Sequence, residues 1–476
     1  MIWLSIPTLP IPSDQIYFVL AQIFALLYAF WFRETLTIEF KTIGLDSERR
    51  KRIATLSIVP GLAFSYIAFG FTIAHLLILS TLCYVLMNLV PLRHLKWIVF
   101  IVSMCYLASI HLNRMLNHNL TYRIDISAAF MILVQKLTSL AFSLSDGEII
   151  SQSNRKRSIL TKEQSNDAIV KRPNFIEFFS YLFNFQTIIC GPSISFNDYL
   201  NYLDGEKLKA YNIQTFPSVM KILRSKLLIC VICAILLILM DPLYPISVLE
   251  DPKFNEIRFI SKLWTIYLVT LTARLKYYFA WTLSECVCDA SGLSFNTFDS
   301  KSNEPIYDLA NNIGILDFEM SLSQRDALDA WNKSTAKWLR NIAYNRTSES
   351  YRLLATYFLS AFWHGLYPGY YLTFLTGGLG TIASRSVRRY FRSRFVHSRK
   401  LLLFYHCVTW LTTRIMLAYF TVPFLMLGFW RSIRFFNSFY WFGHWLPLLA
   451  WILIPKILNS EYGKSPSKTD GCYKVR

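Results

Sequence analysis

The sequence predicts an all-α protein that crosses a membrane many times. Hydrophobic residues make up 54% of the 476 residues and charged residues only 17%, and the mean hydropathy is +0.34. Apolar runs recur from end to end, with no soluble-looking block of domain size between them. We therefore predict a single membrane domain over residues 1–458, followed over residues 459–476 by a polar cytosolic tail that is expected to be disordered.

Eleven apolar segments are candidate membrane spans. They cover residues 16–32, 53–71, 73–90, 97–112, 126–144, 227–249, 260–283, 353–363, 370–383, 401–427 and 439–457. Several are shorter than the ~20 residues that a perpendicular crossing needs, so the predicted number is nine to eleven. Residues 175–190 and the two segments flanking Pro368 are expected to be tilted or re-entrant, with their backbone shielded by protein or by a water-filled cavity.

The basic residues predict the orientation of the chain. The net charge is +19, and the charge is concentrated in loops: residues 49–52 are all basic, six basic residues lie in 147–172, and seven lie in 385–400. Such loops favour the cytosol, which places Asn119, in a glycosylation sequon, in the lumen. Basic loops attract anionic headgroups or an anionic soluble substrate, whereas charge confined to short loops argues against nucleic acid as a partner.

The most informative stretch is residues 331–378, whose apolar second half contains one histidine, His364. An imidazole in such a stretch usually marks chemistry or a conducted path. Gly365 and Pro368 are expected to break the helix just after it, and Ser360, one turn earlier, is a candidate to orient a ring nitrogen. The structural alternative is a histidine bonded to a neighbouring carbonyl. Residues 351–400 contain no acidic residue, so a metal site is not expected there.

The first half of the same stretch fits one amphipathic helix that begins at an N-cap, Ser321 or Ser323, and continues to about residue 346. Its apolar face would carry Leu328, Trp338 and one amide, Asn332. A buried amide needs hydrogen-bond partners. Asn332 is therefore interpreted either as a helix-packing residue or as a site residue.

Soluble catalytic motifs are absent from the sequence: there is no P-loop, G-x-S-x-G, HExxH or GxGxxG. A transporter with a histidine at a broken helix is one alternative. It would predict inverted repeats, and the sequence shows none.

Several ordered motifs resemble the membrane-bound O-acyltransferases, in particular the lysophospholipid acyltransferase subgroup. They are YRIDISAAFMILVQKLTSLAFSLSDG at 122–147, RPNFIEFFSYLFNFQTIICGP at 172–192, FNDYLNYLDG at 196–205, RLKYYFAWTLSECVCDASGLSFN at 274–296, WNKSTAKWLRNIAYNR at 331–346 and SAFWHGLYPGYYLTFLTG at 360–377. The resemblance implies a bundle of membrane helices around a catalytic chamber, and it implies that Asn332 and His364 carry catalysis. One departure is Ser145, where the nearest relatives are expected to have histidine.

The resemblance also implies a reaction. An acyl group would move from acyl-CoA, a co-substrate, to the free hydroxyl of lysophosphatidylethanolamine, lysophosphatidylserine or lysophosphatidylcholine, in the endoplasmic reticulum membrane and without cofactor or metal. His364 would accept the hydroxyl proton, and Asn332 would orient the acyl group or bind the oxyanion. Another acceptor (a protein, a sterol or diacylglycerol) is the nearer alternative, and lipid transport is the more distant one.

Substrate contacts are predicted for six aromatic residues, for which core packing is the alternative interpretation. They are Trp331, Trp338, Trp363, Tyr367, Tyr278 and Trp281. The basic run at 385–400 is a candidate for the CoA phosphates, with membrane orientation as its alternative role.

Overall fold

The computed structural model describes residues 12–42, 47–117, 125–152 and 160–462. In these ranges the chain is helical apart from loops and one antiparallel pair of strands, β1 (Phe295–Phe298) and β2 (Pro305–Tyr307). The predicted all-α class is confirmed. The sequon at Asn119 lies outside the described residues, as do residues 463–476 of the predicted tail. Residues 459–462, predicted as the start of that tail, instead belong to the last helix, which ends at Tyr462.

Five long helices form the N-terminal part of the bundle. They are α1 (Ser13–Thr42), α2 (Ser47–Phe69), α3 (Ile73–Leu89), α4 (Leu92–Asn117) and α5 (Ser127–Gln152). Helix α1 packs on α2, and α4 packs on α5. Ala21, Ala25 and Ala29 are fully buried along one face of α1, and small side chains at four-residue spacing allow close helix packing.

The middle of the chain contains mostly short helices. They are α6 (Lys162–Asp167), α7 (Phe175–Phe183), α8 (Phe196–Leu203), α9 (Glu206–Ala210), α10 (Met220–Met240) and α11 (Lys253–Glu256). As predicted for residues 175–190, α7 is short and is followed by buried irregular backbone. The buried Lys136 of α5 donates hydrogen bonds to the carbonyls of Tyr181 (2.8 Å) and Leu182 (3.2 Å) and to Thr187 Oγ1 (2.7 Å). Protein groups thus satisfy backbone that the bilayer would leave unpaired.

The C-terminal part carries the stretch of interest. Its helices are α12 (Phe259–Ser291), α13 (Ile315–Glu319), α14 (Gln324–Ala330), α15 (Lys333–Ile342), α16 (Arg352–His364), α17 (Pro368–Phe395), α18 (Arg399–Met426), α19 (Phe429–Ser438) and α20 (Phe442–Tyr462). Helix α12 is the longest and contacts α1, α10 and α18. It therefore links the two halves of the bundle.

Six segments of the described chain are long and apolar enough to cross a membrane. They are Ser13–Phe40, Glu48–Leu89, Leu92–Asn117, Ser127–Gln152, Met220–Met240 and Arg399–Met426. The second contains both α2 and α3, so these six account for seven of the eleven predicted spans. The other four predicted spans lie on α12, α16, α17 and α20, which do not meet the same test of length and composition. The protein is thus a multi-pass membrane protein, but this test does not reproduce the predicted number of nine to eleven.

The predicted continuous helix from residue 321 is wrong at its centre, because the chain breaks between α14 and α15. Of the two predicted N-caps, Ser323 is the one that begins α14, and its side chain accepts the N–H of Asp326 (3.1 Å). Asn332 has a φ of +43°, in the left-handed region that asparagine tolerates better than most residues. It is the N-cap of α15, not a residue on a helix face, and the predicted buried Leu328 is 37% exposed.

Candidate active site

His364 is the last residue of α16, and the helix breaks directly after it as predicted. Gly365 has a φ of +137°, a conformation that residues with a Cβ rarely adopt. A Cβ there would also lie 3.2 Å from Tyr370 Cε2 and 3.3 Å from His111 Cγ. Pro368 then begins α17 at its first turn. The sharp corner holds the imidazole at a helix end.

Aromatic rings surround the His364 imidazole. Ring-centroid distances are 4.7 Å to Trp363, 5.0 Å to Phe424, 5.3 Å to Phe374 and 5.9 Å to Tyr370. The Phe374 ring stacks at 23°. These residues come from α16, α17 and α18, so three helices form an aromatic cage around the half-buried imidazole. The predicted hydrogen bond from Ser360 is not found among the described residues, although Ser360 is buried.

A second histidine, His111 of α4, lies beside this corner. It is 4% exposed, and its Nε2 donates to the backbone carbonyl of Trp363 at 3.1 Å. That carbonyl is one of the last four of α16, which have no partner within the helix. Sequence reasoning interpreted His111 as a core or interface residue. It is separated from Trp363 by 252 positions, and no local pattern connects the two.

Asn332 is half-buried at the N-terminus of α15. Its side-chain Oδ1 accepts the N–H of Thr335 at 3.4 Å. This capping bond leaves the two Nδ2 hydrogens of Asn332 as the groups that can donate to a ligand.

Asn312 holds the backbone on the other side of Asn332. Its carbonyl accepts the N–H of Lys333 (2.8 Å), and its Oδ1 accepts the N–H (3.2 Å) and the hydroxyl (2.8 Å) of Ser334. Asn312 in turn donates its own N–H to Glu285 Oε1 at 2.7 Å. The left-handed turn at Asn332 is therefore stabilised by a loop and a helix that precede it in the chain, which explains why local helix periodicity did not reveal it.

Glu285 belongs to a buried ionic group on α10 and α12. Lys226 Nζ lies 2.8 Å from carboxylate oxygens of both Glu285 and Asp289. Glu285 and Asp289 are 2% and 0% exposed. One lysine thus neutralises part of a doubly acidic group that would otherwise be costly to bury.

Helix α15 is held against α5 by two hydrogen bonds and packs on α16. Gln135 Nε2 donates to Thr335 Oγ1 (2.8 Å), and Trp338 Nε1 donates to Thr138 Oγ1 (2.9 Å). The Trp338 ring also packs on Trp363, with centroids 5.7 Å apart. This indole pair joins the helix that begins at Asn332 to the helix that ends at His364.

The six predicted aromatic contacts divide into two groups. Trp338, Trp363 and Tyr367 are buried, and Trp363 Nε1 donates to the Met131 carbonyl at 3.1 Å. Trp331 packs instead against Tyr278 (5.9 Å) and Trp281 (5.0 Å). The first group joins the helices of Asn332 and His364 through the Trp338–Trp363 contact, and the second surrounds Trp331, which directly precedes Asn332. Contact with substrate stays a prediction for all six.

A small cavity of about 50 Å³, lined by both apolar and polar side chains, lies between α5, α6, α15 and residues 193–196. Four charged residues line it: Asp146, Asp167, Lys337 and Arg346. Arg346 binds Asp146 with two hydrogen bonds (3.0 and 2.6 Å), and Lys337 lies 3.3 Å from Asp167. Burial raises the pKa of Asp167, and Lys337 partly opposes this. The basic run at 385–400 does not line this cavity; its Arg388 lies 3.6 Å from Asp326 of α14.

The structure thus places Asn332 and His364 on two helices of the bundle that contact each other through Trp338 and Trp363. Residues 114–426 match the family model for MBOAT, the membrane-bound O-acyltransferase family. The match includes both Asn332 and His364, and the chain belongs to this family. Family membership favours an acyltransferase over the transporter alternative.

Three relatives show which members of this family the chain is similar to. The chain is 36% identical over 471 residues to lysophospholipid acyltransferase 6 of Drosophila melanogaster, covering 96% of this chain and 63% of the fly protein. It is 35% identical over 479 residues to membrane-bound glycerophospholipid O-acyltransferase 1 of Homo sapiens, covering 98% and 94%. It is 30% identical over 397 residues to a lysophospholipid acyltransferase of Schizosaccharomyces pombe, covering 80% and 76%.

Proposed function

We propose that the protein transfers a fatty acyl group from acyl-CoA to the free hydroxyl of a lysophospholipid and thereby remodels phospholipids. The acceptor is lysophosphatidylethanolamine, lysophosphatidylserine or lysophosphatidylcholine, and the membrane is that of the endoplasmic reticulum. One structural observation carries the chemistry: the Trp338–Trp363 contact joins the helix that starts at Asn332 to the helix that ends at His364. The names of the relatives support the class of acceptor.

His364 is the proposed general base. Its imidazole takes the proton of the lysophospholipid hydroxyl while the hydroxyl oxygen attacks the thioester carbonyl carbon. When the tetrahedral intermediate collapses, the carbon–sulfur bond breaks and the imidazolium returns the proton to the CoA thiolate. The aromatic cage from α16, α17 and α18 gives the site an apolar wall, which is expected to limit hydrolysis of the thioester by water.

Asn332 is the proposed oxyanion donor. Because its Oδ1 is used to cap α15, its Nδ2 hydrogens are available to the oxygen that becomes negative in the intermediate. A preorganised donor of this kind lowers the activation barrier by roughly 3 kcal/mol. The fixed left-handed turn holds this donor in place before the substrate binds.

The test uses microsomes from cells that express the chain, with labelled oleoyl-CoA and a panel of lysophospholipids. We expect His364→Ala to lower the rate by about 10²- to 10⁴-fold and Asn332→Ala to lower it by about 10²-fold. His75→Ala is the matched control, because His75 is an exposed histidine of α3 outside the proposed site. Unchanged acylation by His364→Ala at equal protein level would contradict the proposal, and full activity of Asn332→Ala would reduce Asn332 to a capping residue.

A further inference from the structure

Two buried arginines share one carboxylate beside the aromatic group formed by Trp331, Tyr278 and Trp281. Arg274 of α12 places its Nε 2.9 Å from Glu319 Oε1, and Arg414 of α18 places its Nη1 3.2 Å from Glu319 Oε2. The arginines are 9% and 4% exposed. Arg414 lies near the middle of α18, one of the six candidate spans. Ionised side chains at such positions are rare and usually functional.

The group carries one positive charge in excess. Among the described residues, Glu319 is the one acidic side chain bonded to either arginine, so two guanidinium groups face a single carboxylate. Glu319 Oε1 already accepts the hydroxyl of Tyr278 as well (2.7 Å). An uncompensated charge inside a helical bundle is strongly unfavourable, which indicates that a second anion belongs to the group.

Each arginine also has one buried nitrogen without a hydrogen-bond partner. Arg274 Nη1 donates to Thr270 Oγ1 (3.3 Å) and Arg414 Nη2 donates to Ser321 Oγ, whereas Arg274 Nη2 and Arg414 Nε have no acceptor. A buried charged donor left unpaired destabilises a protein more than a neutral one does. The excess charge and the free donors are independent observations, and both point to a missing anionic acceptor.

The position of the two guanidiniums connects them to the proposed site. Both lie against the ring of Phe318, at 5.5 Å for Arg274 and 5.0 Å for Arg414. The Phe318 ring contacts Trp331 at 5.1 Å, and Trp331 directly precedes Asn332. On the outer side, the Glu319 side chain is 20% exposed, so the group is not sealed from the surroundings of the bundle.

From these contacts we infer that Arg274 and Arg414 bind the phosphodiester of the lysophospholipid acceptor. A phosphodiester carries one negative charge, which cancels the excess, and its oxygens suit the planar donors of two arginines. Bound there, the headgroup places the rest of the lipid along Phe318 and Trp331, toward Asn332. The inference rests on the proposed function and adds the residues that recognise the acceptor. The phosphates of acyl-CoA have the same chemistry and are the other possible source of the anion.

The test compares removal of a cation with removal of the anion from the same ion pairs. We expect Arg414→Gln to raise the KM for 1-oleoyl-lysophosphatidylethanolamine about tenfold, the effect of one charged hydrogen bond, with the KM for oleoyl-CoA within twofold of wild type. Glu319→Gln removes the carboxylate from the same ion pairs and so increases the excess positive charge. Because the two arginines would then attract the phosphodiester more strongly, this variant should lower the KM for the lysophospholipid. If the group is only structural, both variants will harm the protein in the same direction. Arg431→Gln, which removes an ion pair with Glu250 elsewhere, is the matched control and should leave both KM values unchanged.

Further measurements separate the possible failures. A rise in the oleoyl-CoA KM alone would overturn the assignment to the lipid, and unchanged KM values for both substrates would overturn the site. If Arg414→Gln does not accumulate, Arg414→Lys is the variant to measure, because it keeps the positive charge but loses the planar guanidinium that binds two oxygens at once. A lysophospholipid KM unchanged by that variant would also overturn the site.

Binding can be measured without turnover. 1-Oleoyl-lysophosphatidylethanolamine should raise the Tm of the purified wild-type protein more than phosphate-free 1-monooleoylglycerol does, and Arg414→Gln should abolish that difference. This result would support the phosphate site even if the wild type transferred no acyl group, an outcome that would refute only the proposed function. Equal Tm shifts from the two lipids on the wild type would overturn the site.

Discussion

Substitution of His111 tests whether the corner at His364 must be held from outside α16. His111→Phe keeps most of the ring volume but removes the donor to the Trp363 carbonyl, a bond of 3.1 Å at a residue that is 4% exposed. A buried carbonyl left without a partner costs about 1–3 kcal/mol, which corresponds to roughly a 5- to 150-fold shift between conformations. We therefore expect kcat to fall by one to two orders of magnitude, because the corner relaxes and His364 leaves its catalytic position.

The assay is the kcat and KM of oleoyl transfer in microsomes, at matched protein level. His111→Gln restores an amide donor of similar reach, so we expect it to recover most of the kcat that His111→Phe loses. Both substitutions should leave the KM for acyl-CoA nearly unchanged, since His111 contacts backbone and not the proposed substrates. A wild-type kcat for His111→Phe, or equal loss in His111→Gln, would refute the reasoning.

Three further predictions concern the framework of the site. Gly365→Ala should abolish activity while protein still accumulates, because the new Cβ meets Tyr370 and His111 at a φ of +137°; measurable kcat near wild type would contradict this. Lys226→Met leaves two buried carboxylates without their shared positive counter-charge and should destabilise the protein by about 3–5 kcal/mol, seen as a lower Tm, whereas Lys221→Met, which removes an exposed pair, should not. Asn312→Ala removes the side-chain acceptor of Ser334. It should lower kcat while leaving the Tm close to that of the wild type, with both measured on the same preparation.

The sequence predicted those features that depend on local composition. The helical bundle follows from apolar runs of membrane length, and the break after His364 follows from Gly365 and Pro368, which restrict the backbone in known ways. The N-cap of α14 was predicted to be Ser321 or Ser323 for the same kind of reason, and it is Ser323. Each of these signals is contained within a few residues of the feature that it produces.

The remaining features depend on contacts between distant segments. The break at Asn332 contains neither glycine nor proline, and helical periodicity continues across it; the turn forms because Asn312 offers three hydrogen bonds to the start of α15. The role of His111 depends on a partner 252 positions away. The aromatic cage of His364 likewise needs α17 and α18 in place. A single sequence contains no record of which helices become neighbours.

The buried Lys136 has a consequence for the biogenesis of the protein. Its ammonium group lies in α5, a candidate span, but its acceptors follow 45 to 51 positions later, around the end of α7. An isolated helix with an unpaired lysine at its centre partitions poorly into lipid. We therefore expect helix α5 to reach a stable position in the bilayer only together with α7, which supplies two of these acceptors.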